Sequence, residues 1–225
     1  KKIRGTAWGS RLLGDAVFRS QISLYGGLFI NLLYVAVNLF SGIRYHSAWF
    51  IALACYYVLL SAMRAVLVRY VHRKPVGQDI PAEFRRYRAC GLILLLMNQA
   101  LVGIIIYMVT QNRGFSYSGN MIYAMAMYTF YITISAIINV IRYQSHGSPV
   151  ISAAKVISLT AALVSMLSLE TAMLARFGSD ETEFRRIMLG ISGGVVCAVV
   201  LAMAIYMIAR ATKQLHKLKN NNLEI

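Results

Sequence analysis

Polar residues break this chain into apolar runs, each close to the ~20 residues that a helix needs to cross a bilayer. The runs lie at about 22–42, 47–68, 89–110, 121–141, 150–174 and 187–209. They predict an all-α, polytopic membrane protein of six transmembrane helices. No polar stretch between them is long enough to form a soluble catalytic domain, so chemistry is expected within the membrane or at its faces.

The placement of charge adds a direction. With the N-terminus inside, the inner segments hold 16 of the 23 Lys and Arg residues and the outer segments 5, while Arg64 and Lys155 fall within spans. The positive-inside rule then places both termini in the cytoplasm, expected here as the cytoplasmic side of a bacterial inner membrane. Composition agrees: 58% of residues are hydrophobic and 14% charged, against about 25% charged in soluble domains. The net charge of +15 comes without a basic face or a nucleic-acid-binding motif, so its expected partner is anionic lipid headgroups rather than nucleic acid.

Both ends read as lipid-surface elements. In residues 1–21, Trp8, Leu12 and Ala16 recur at helical spacing beside Leu13 and Val17, with five basic residues interspersed. This predicts a helix lying in the headgroup region. Residues 210–225 extend the last helix as a basic tail. The first apolar run is too long for a signal-peptide core and has no small-x-small site after it, so a retained helix is expected.

Three short motifs occur twice. IRY stands at 43–45 and 141–143, EFRR at 83–86 and 183–186, and IYM at 106–108 and 205–207. The order is the same and the offsets are 98, 100 and 99 residues. Two homologous halves, 22–110 and 121–209, account for this. Three spans per half force the second to enter from the opposite side, so an inverted repeat is expected. EFRR then opens the third helix of each half, with Glu favoured by the helix dipole and Arg able to reach phosphates.

Ionisable groups within spans are functional candidates. Arg64 and Lys155 share the inner half, where they either attract an anionic solute or snorkel to lipid phosphates. Glu170 lies near the opposite end, roughly 22 Å from Lys155 along one helix, so no intramembrane ion pair is expected. Uncharged polar groups stand nearer the midplane: Asn31 and Asn38 with Tyr34 between them, Asn98 and Gln99, Tyr56 and Tyr57, and Tyr128, Thr129, Tyr131 and Thr133. They either tie helices together or line a cavity. The substrate-binding set expected from these is Asn31, Asn38, Arg64, Asn98, Gln99 and Lys155.

Other features read as packing. Gly190, Gly194, Ala198 and Ala202 form a small-xxx-small stripe that suits close helix contact, within the chain or in a homodimer. Met121, Met125 and Met127 suit flexible packing rather than Cu(I). Cys55, Cys90 and Cys197 are widely spaced and apolar in setting, and no metal or cofactor is expected. No hydrolase, metalloprotease or phosphate-loop motif occurs, so no enzyme is expected.

The stretch NLLYVAVNLFSGIRYHSAWFIALACYY (31–57) resembles the first hairpin of the cation diffusion facilitator family, and IRYQSHGSPVISAAKVISL (141–159) is similar at a second hairpin. The general character also resembles six-helix membrane proteins of Gram-positive bacteria. The resemblance implies six helices and cytoplasmic termini. It carries over no metal ligand, because residues 50–60 and 150–165 contain no His, Asp or Glu. The expected function is a small secondary transporter for a polar or anionic solute. The alternative is a membrane scaffold or lipid-binding subunit.

Overall fold

The computed structural model describes residues 16–44, 46, 48–73, 77–111, 121–142, 148–177 and 182–221. They form six helices: α1 Ala16–Arg44, α2 Ala48–Arg73, α3 Ile80–Gln111, α4 Met121–Arg142, α5 Pro149–Phe177 and α6 Thr182–Asn221. Five of them are long and apolar enough to cross a membrane, over Leu24–Arg44, Trp49–Arg73, Ile80–Thr110, Pro149–Ala175 and Glu183–Asn220. In α4, the described residues supply a shorter apolar stretch, Thr129–Ile138.

The burial pattern of α1 explains its place. Its inward positions Leu24, Asn31, Tyr34, Asn38 and Ser41 are buried, while Phe29, Leu32, Leu33, Phe40 and Ile43 face outward. An alternating spacing of three and four residues puts the polar groups on one seam. The helix is therefore apolar outside and polar inside, the arrangement that hydrocarbon surroundings favour.

Two hairpins, α1–α2 and α4–α5, and one long antiparallel pair, α3–α6, make up the bundle. Gly42 brings α1 against Ile51 and Phe50 of α2, and His46 turns the chain between them with φ of 47°. In the long pair, the Cα of Gly91 faces Ala204, Met207 and Ile208, and that of Gly193 faces Ile105. These glycines allow close approach where a side chain would collide. Helix α5 packs against all five other helices and has the most buried apolar stretch. It is the centre of the fold.

The first end differs from expectation in the residues described, and the last end follows it. Ala16 to Gln21 belong to the same continuous helix as the first apolar run, so this part is not a separate surface helix; Trp8, Leu12 and Leu13 lie outside the described residues. At the other end, α6 continues to Asn221. Its 40 residues measure about 60 Å, twice the hydrocarbon thickness of a bilayer. The last turns project with Lys213, His216, Lys217 and Lys219 exposed.

Candidate functional site

The expected polar residues do not all meet. Helices α1, α2 and α5 share a buried seam that carries two polar layers. The first layer centres on Arg64, whose side chain is 4% exposed. Its Nη2 donates to Ser158 Oγ at 2.6 Å, and Ser158 Oγ donates onward to the Ala154 carbonyl at 3.0 Å. The guanidinium occupies the space that a side chain at Gly27 would fill. Arg64 thus turns into the bundle and does not snorkel to headgroups. Lys155 stands one turn from Ser158 on α5 and is half-buried.

The second layer repeats the first at a seven-residue step along the seam: Tyr34 on α1, Tyr57 on the oppositely running α2, seven residues before Arg64, and Ser165 on α5 replace Gly27, Arg64 and Ser158. Seven residues are two helical turns, or about 10 Å. Tyr57 Oη donates to the Ala161 carbonyl at 3.0 Å and lies 2.6 Å from Ser165 Oγ. The rings of Tyr34 and Tyr57 meet edge to face with centroids 4.5 Å apart. The Tyr34 hydroxyl interacts with Ser165, with Ser168 one turn along α5, and with Thr129 of α4. Four helices therefore contribute hydroxyls to one enclosed cluster.

The amides are distributed around these layers. Asn38 Nδ2 donates to the Tyr34 carbonyl at 2.8 Å, while its Oδ1 is buried with no hydrogen-bond partner. Asn31, between the layers on α1, is also buried, with Nδ2 unpartnered. Asn98 is buried on α3 with Oδ1 unpartnered. Gln99 is exposed on the outside of α3, so it does not line an interior site with the others: one step along a helix turns a side chain by about 100°. Tyr131 also faces outward, and the side chains of Tyr128, Met121 and Met125 lie outside the described residues.

A third polar element closes one end of the bundle. Glu83 is 0% exposed, and its carboxylate accepts from the Gly77 N–H at 2.6 Å and from Ser148 Oγ at 2.8 Å. Asp79 caps α3 by accepting from the Ala82 N–H at 3.1 Å. Gly77 has φ of 94°, the left-handed geometry that glycine adopts without strain. Ser148 precedes Pro149 at the start of α5. Glu83 therefore lies by the N-terminal ends of both α3 and α5, where the dipoles favour a negative charge. Nearby, Arg86 stacks over Tyr70 at 4.2 Å from the ring centre.

The small-residue stripe takes the outer surface. A side chain added at Gly190 or Gly194 meets nothing within 4 Å, whereas Gly193 is the residue packed on α3. A cleft of about 270 Å³ between α2 and α3 is lined by Trp49, Ala52, Ala100, Gly103, Ile104, Tyr107 and Met108. It is apolar, and no expected site residue lines it.

Sequence reasoning missed Gly27, Ser158, Ser165 and Ser168, all small residues that look like ordinary membrane-helix packing. For Gly27, Ser158 and Ser165 the signal was the seven-residue register shared with Arg64, Tyr57 and Tyr34. Among the described residues no three His, Cys, Asp or Glu side chains converge; the oxygen that converges is hydroxyl oxygen. No protein-family model and no curated protein matches this chain.

Proposed function

We propose that this multi-pass membrane protein is a small secondary transporter that moves a polar or anionic solute by alternating access. The observation that carries the reading is the buried Arg64, held by Ser158 under Gly27 within a span. A cation there is costly to bury and is easier to retain if an anion visits it. Lys155, one turn away, adds a second positive group to the same approach. The reading puts the solute on Arg64, Lys155 and Ser158, with Asn31 and Asn38 further along the α1 face. Asn98 is reached from α3.

The two halves, 22–110 and 121–209, are proposed as the moving units, related by inversion. In support, each half forms its own hairpin and the third helices pack together as the α3–α6 pair. In this arrangement α4 supplies the sixth crossing and both termini face the cytoplasm. Glu83 then stands at the cytoplasmic mouth. Opening that mouth would separate Glu83 from Ser148, which joins the first half to the second. The proposed helix arrangement follows the likeness to cation diffusion facilitators, with an anion in place of a metal.

The test is flux of phosphate, sulfate and small carboxylates into liposomes holding the purified protein. Saturable uptake is expected, and Arg64→Gln should reduce it at least tenfold while the protein stays folded. Uptake unchanged by Arg64→Gln, or no uptake across the panel, would sink the reading.

The exposed stripe of Gly190, Gly194, Ala198 and Ala202 favours a second reading, a scaffold that pairs with its own copy and binds anionic lipid through its basic ends. Cysteine crosslinking at Ala198 between copies, combined with absent flux, would select it.

A further inference from the structure

We propose that the cleft between α2 and α3 is a binding site for one acyl chain of a bilayer phospholipid, lying along the helices with its headgroup beside Trp49. The inference is independent of the transport reading and uses none of its residues.

The cleft follows from how the helices pair. Helix α2 packs along α1 and α3 along α6, so α2 and α3 meet only sparsely. Near the end of the bundle where α2 begins and α3 finishes, small residues form the facing walls: Ala52 on α2, Ala100 and Gly103 on α3. A Cβ at Gly103 would meet nothing within 4 Å. About 270 Å³ is left open. That is room for roughly nine methylene groups, if each takes the ~30 Å³ of a water molecule.

Shape narrows the occupant. The α3 wall runs from Ala100 to Met108 along one face of the helix, as a stripe that also carries Gly103, Ile104 and Tyr107. It covers about 12 Å, most of the ~15 Å of hydrocarbon in one leaflet. The groove is thus long, narrow and parallel to the helices. Both walls belong to stretches apolar enough to span a membrane, Trp49–Arg73 and Ile80–Thr110, so it opens toward hydrocarbon. A helix of a second copy, ~10–12 Å across with its side chains, is too thick to enter.

A polar solute is unsuited as well, because such a site needs converging polar groups. The lining side chains carry N–H or O–H groups only at Trp49 and Tyr107. Both residues stand near the ends of their apolar stretches, at the depth where aromatic side chains meet headgroups. The headgroup therefore belongs at that end, with the chain running inward to Ala100. Lipid tails are as apolar as these walls, so hydrophobic transfer contributes little. Dispersion holds the chain: an empty cleft leaves its lining atoms without partners on one side, and the chain restores those contacts. The lipid also bridges the α1–α2 and α3–α6 pairs.

Trp49 provides the test. Its side chain is 4% exposed, so lipid on the outer surface barely reaches it, whereas a chain in the groove touches it. The sequence has two tryptophans, and Trp8→Phe leaves Trp49 as the sole indole. The full chain with that change is placed in phosphatidylcholine vesicles, and fluorescence is read as lipid brominated along one acyl chain replaces the ordinary form. Quenching is expected, with the concentration dependence of a single lipid site. Bromine quenches at contact distance, so the signal should fall by about half or more in Gly103→Leu and in Ala100→Leu, which fill the groove from α3. Quenching that survives both changes would overturn the inference and leave lipid on the outer surface only. Absent quenching in the parent chain would also overturn it, the groove then being shut or filled by the protein itself.

Discussion

Residues 83–86 and 183–186 carry the same tetrapeptide, and the fold treats them in opposite ways. Glu83 is enclosed and ties three segments together through Gly77 and Ser148. Glu183, in the same place at the head of α6, is exposed, as are Phe184 and Arg186. Both glutamates stand in the first turn of their helices, so dipole and propensity are matched. What differs is tertiary. The start of α5 arrives beside Glu83 and supplies a hydroxyl donor. A motif at a helix start thus acts as a surface cap in one copy and as an internal clamp in the other, according to what packs over it.

The largest test of that difference is Glu83→Ala against Glu183→Ala. The first leaves the Gly77 N–H and the Ser148 hydroxyl without their acceptor, and it should destabilise the protein by about 3 kcal/mol. The second should change stability by less than about 0.5 kcal/mol. Denaturant or thermal unfolding in detergent reads both, and equal effects would break the comparison.

Next is the glycine pair on the helices that these motifs open. A Cβ at Gly91 would stand 3.0–3.3 Å from Ile208, Met207 and the Ala204 carbonyl. Gly91→Val should therefore cost about 2 kcal/mol by overpacking. Gly190→Ala enters open space and should stabilise α6 by roughly 0.5–1 kcal/mol through helix propensity. Loss of stability in Gly190→Ala would instead indicate a copy of the chain packed on the stripe.

Ser148→Ala removes one of the two donors to Glu83. A loss of about 1 kcal/mol is expected, and it should disappear in a Glu83→Gln background if the two act through one bond. A full effect in that background would show that Ser148 acts by capping α5 alone.

A loss of the same size is expected at Gly77. Its positive φ penalises any side chain, yet nothing crowds it. Gly77→Ala should cost roughly 1 kcal/mol, by backbone strain alone. A larger loss would mean that the turn must hold its N–H on Glu83 more tightly than a strained loop allows.

Much of the fold was legible because hydrocarbon surroundings impose a simple rule: backbone groups must be satisfied within each segment, so long apolar runs become helices. Helix number and class among the described residues, and the burial of Asn31, Asn38 and Asn98, followed from that rule and from the residue types. Gln99 shows its limit. Its depth was readable, but its outward direction depends on how α3 is rotated against α6, and Asn98 beside it takes the inward place. Arg64 shows another. Snorkelling and burial are both available to a long side chain in the inner half of a span. The space left by Gly27 on a different helix and the hydroxyl of Ser158 on a third decide between them.

By itself, then, the sequence determined an all-helical membrane chain, because hydropathy and length are local quantities summed along one segment. It also favoured the inward gathering of Asn31, Asn38 and Asn98, since lipid offers an amide no partner, although Gln99 turns outward. Only the tertiary structure decided which of those groups meet. The two polar layers require α1, α2 and α5 to share one register, and the Glu83 clamp requires the start of α5 to reach a turn some seventy residues earlier. Those contacts arise from packing between distant segments, where shape selects one arrangement among many that the same hydropathy would permit.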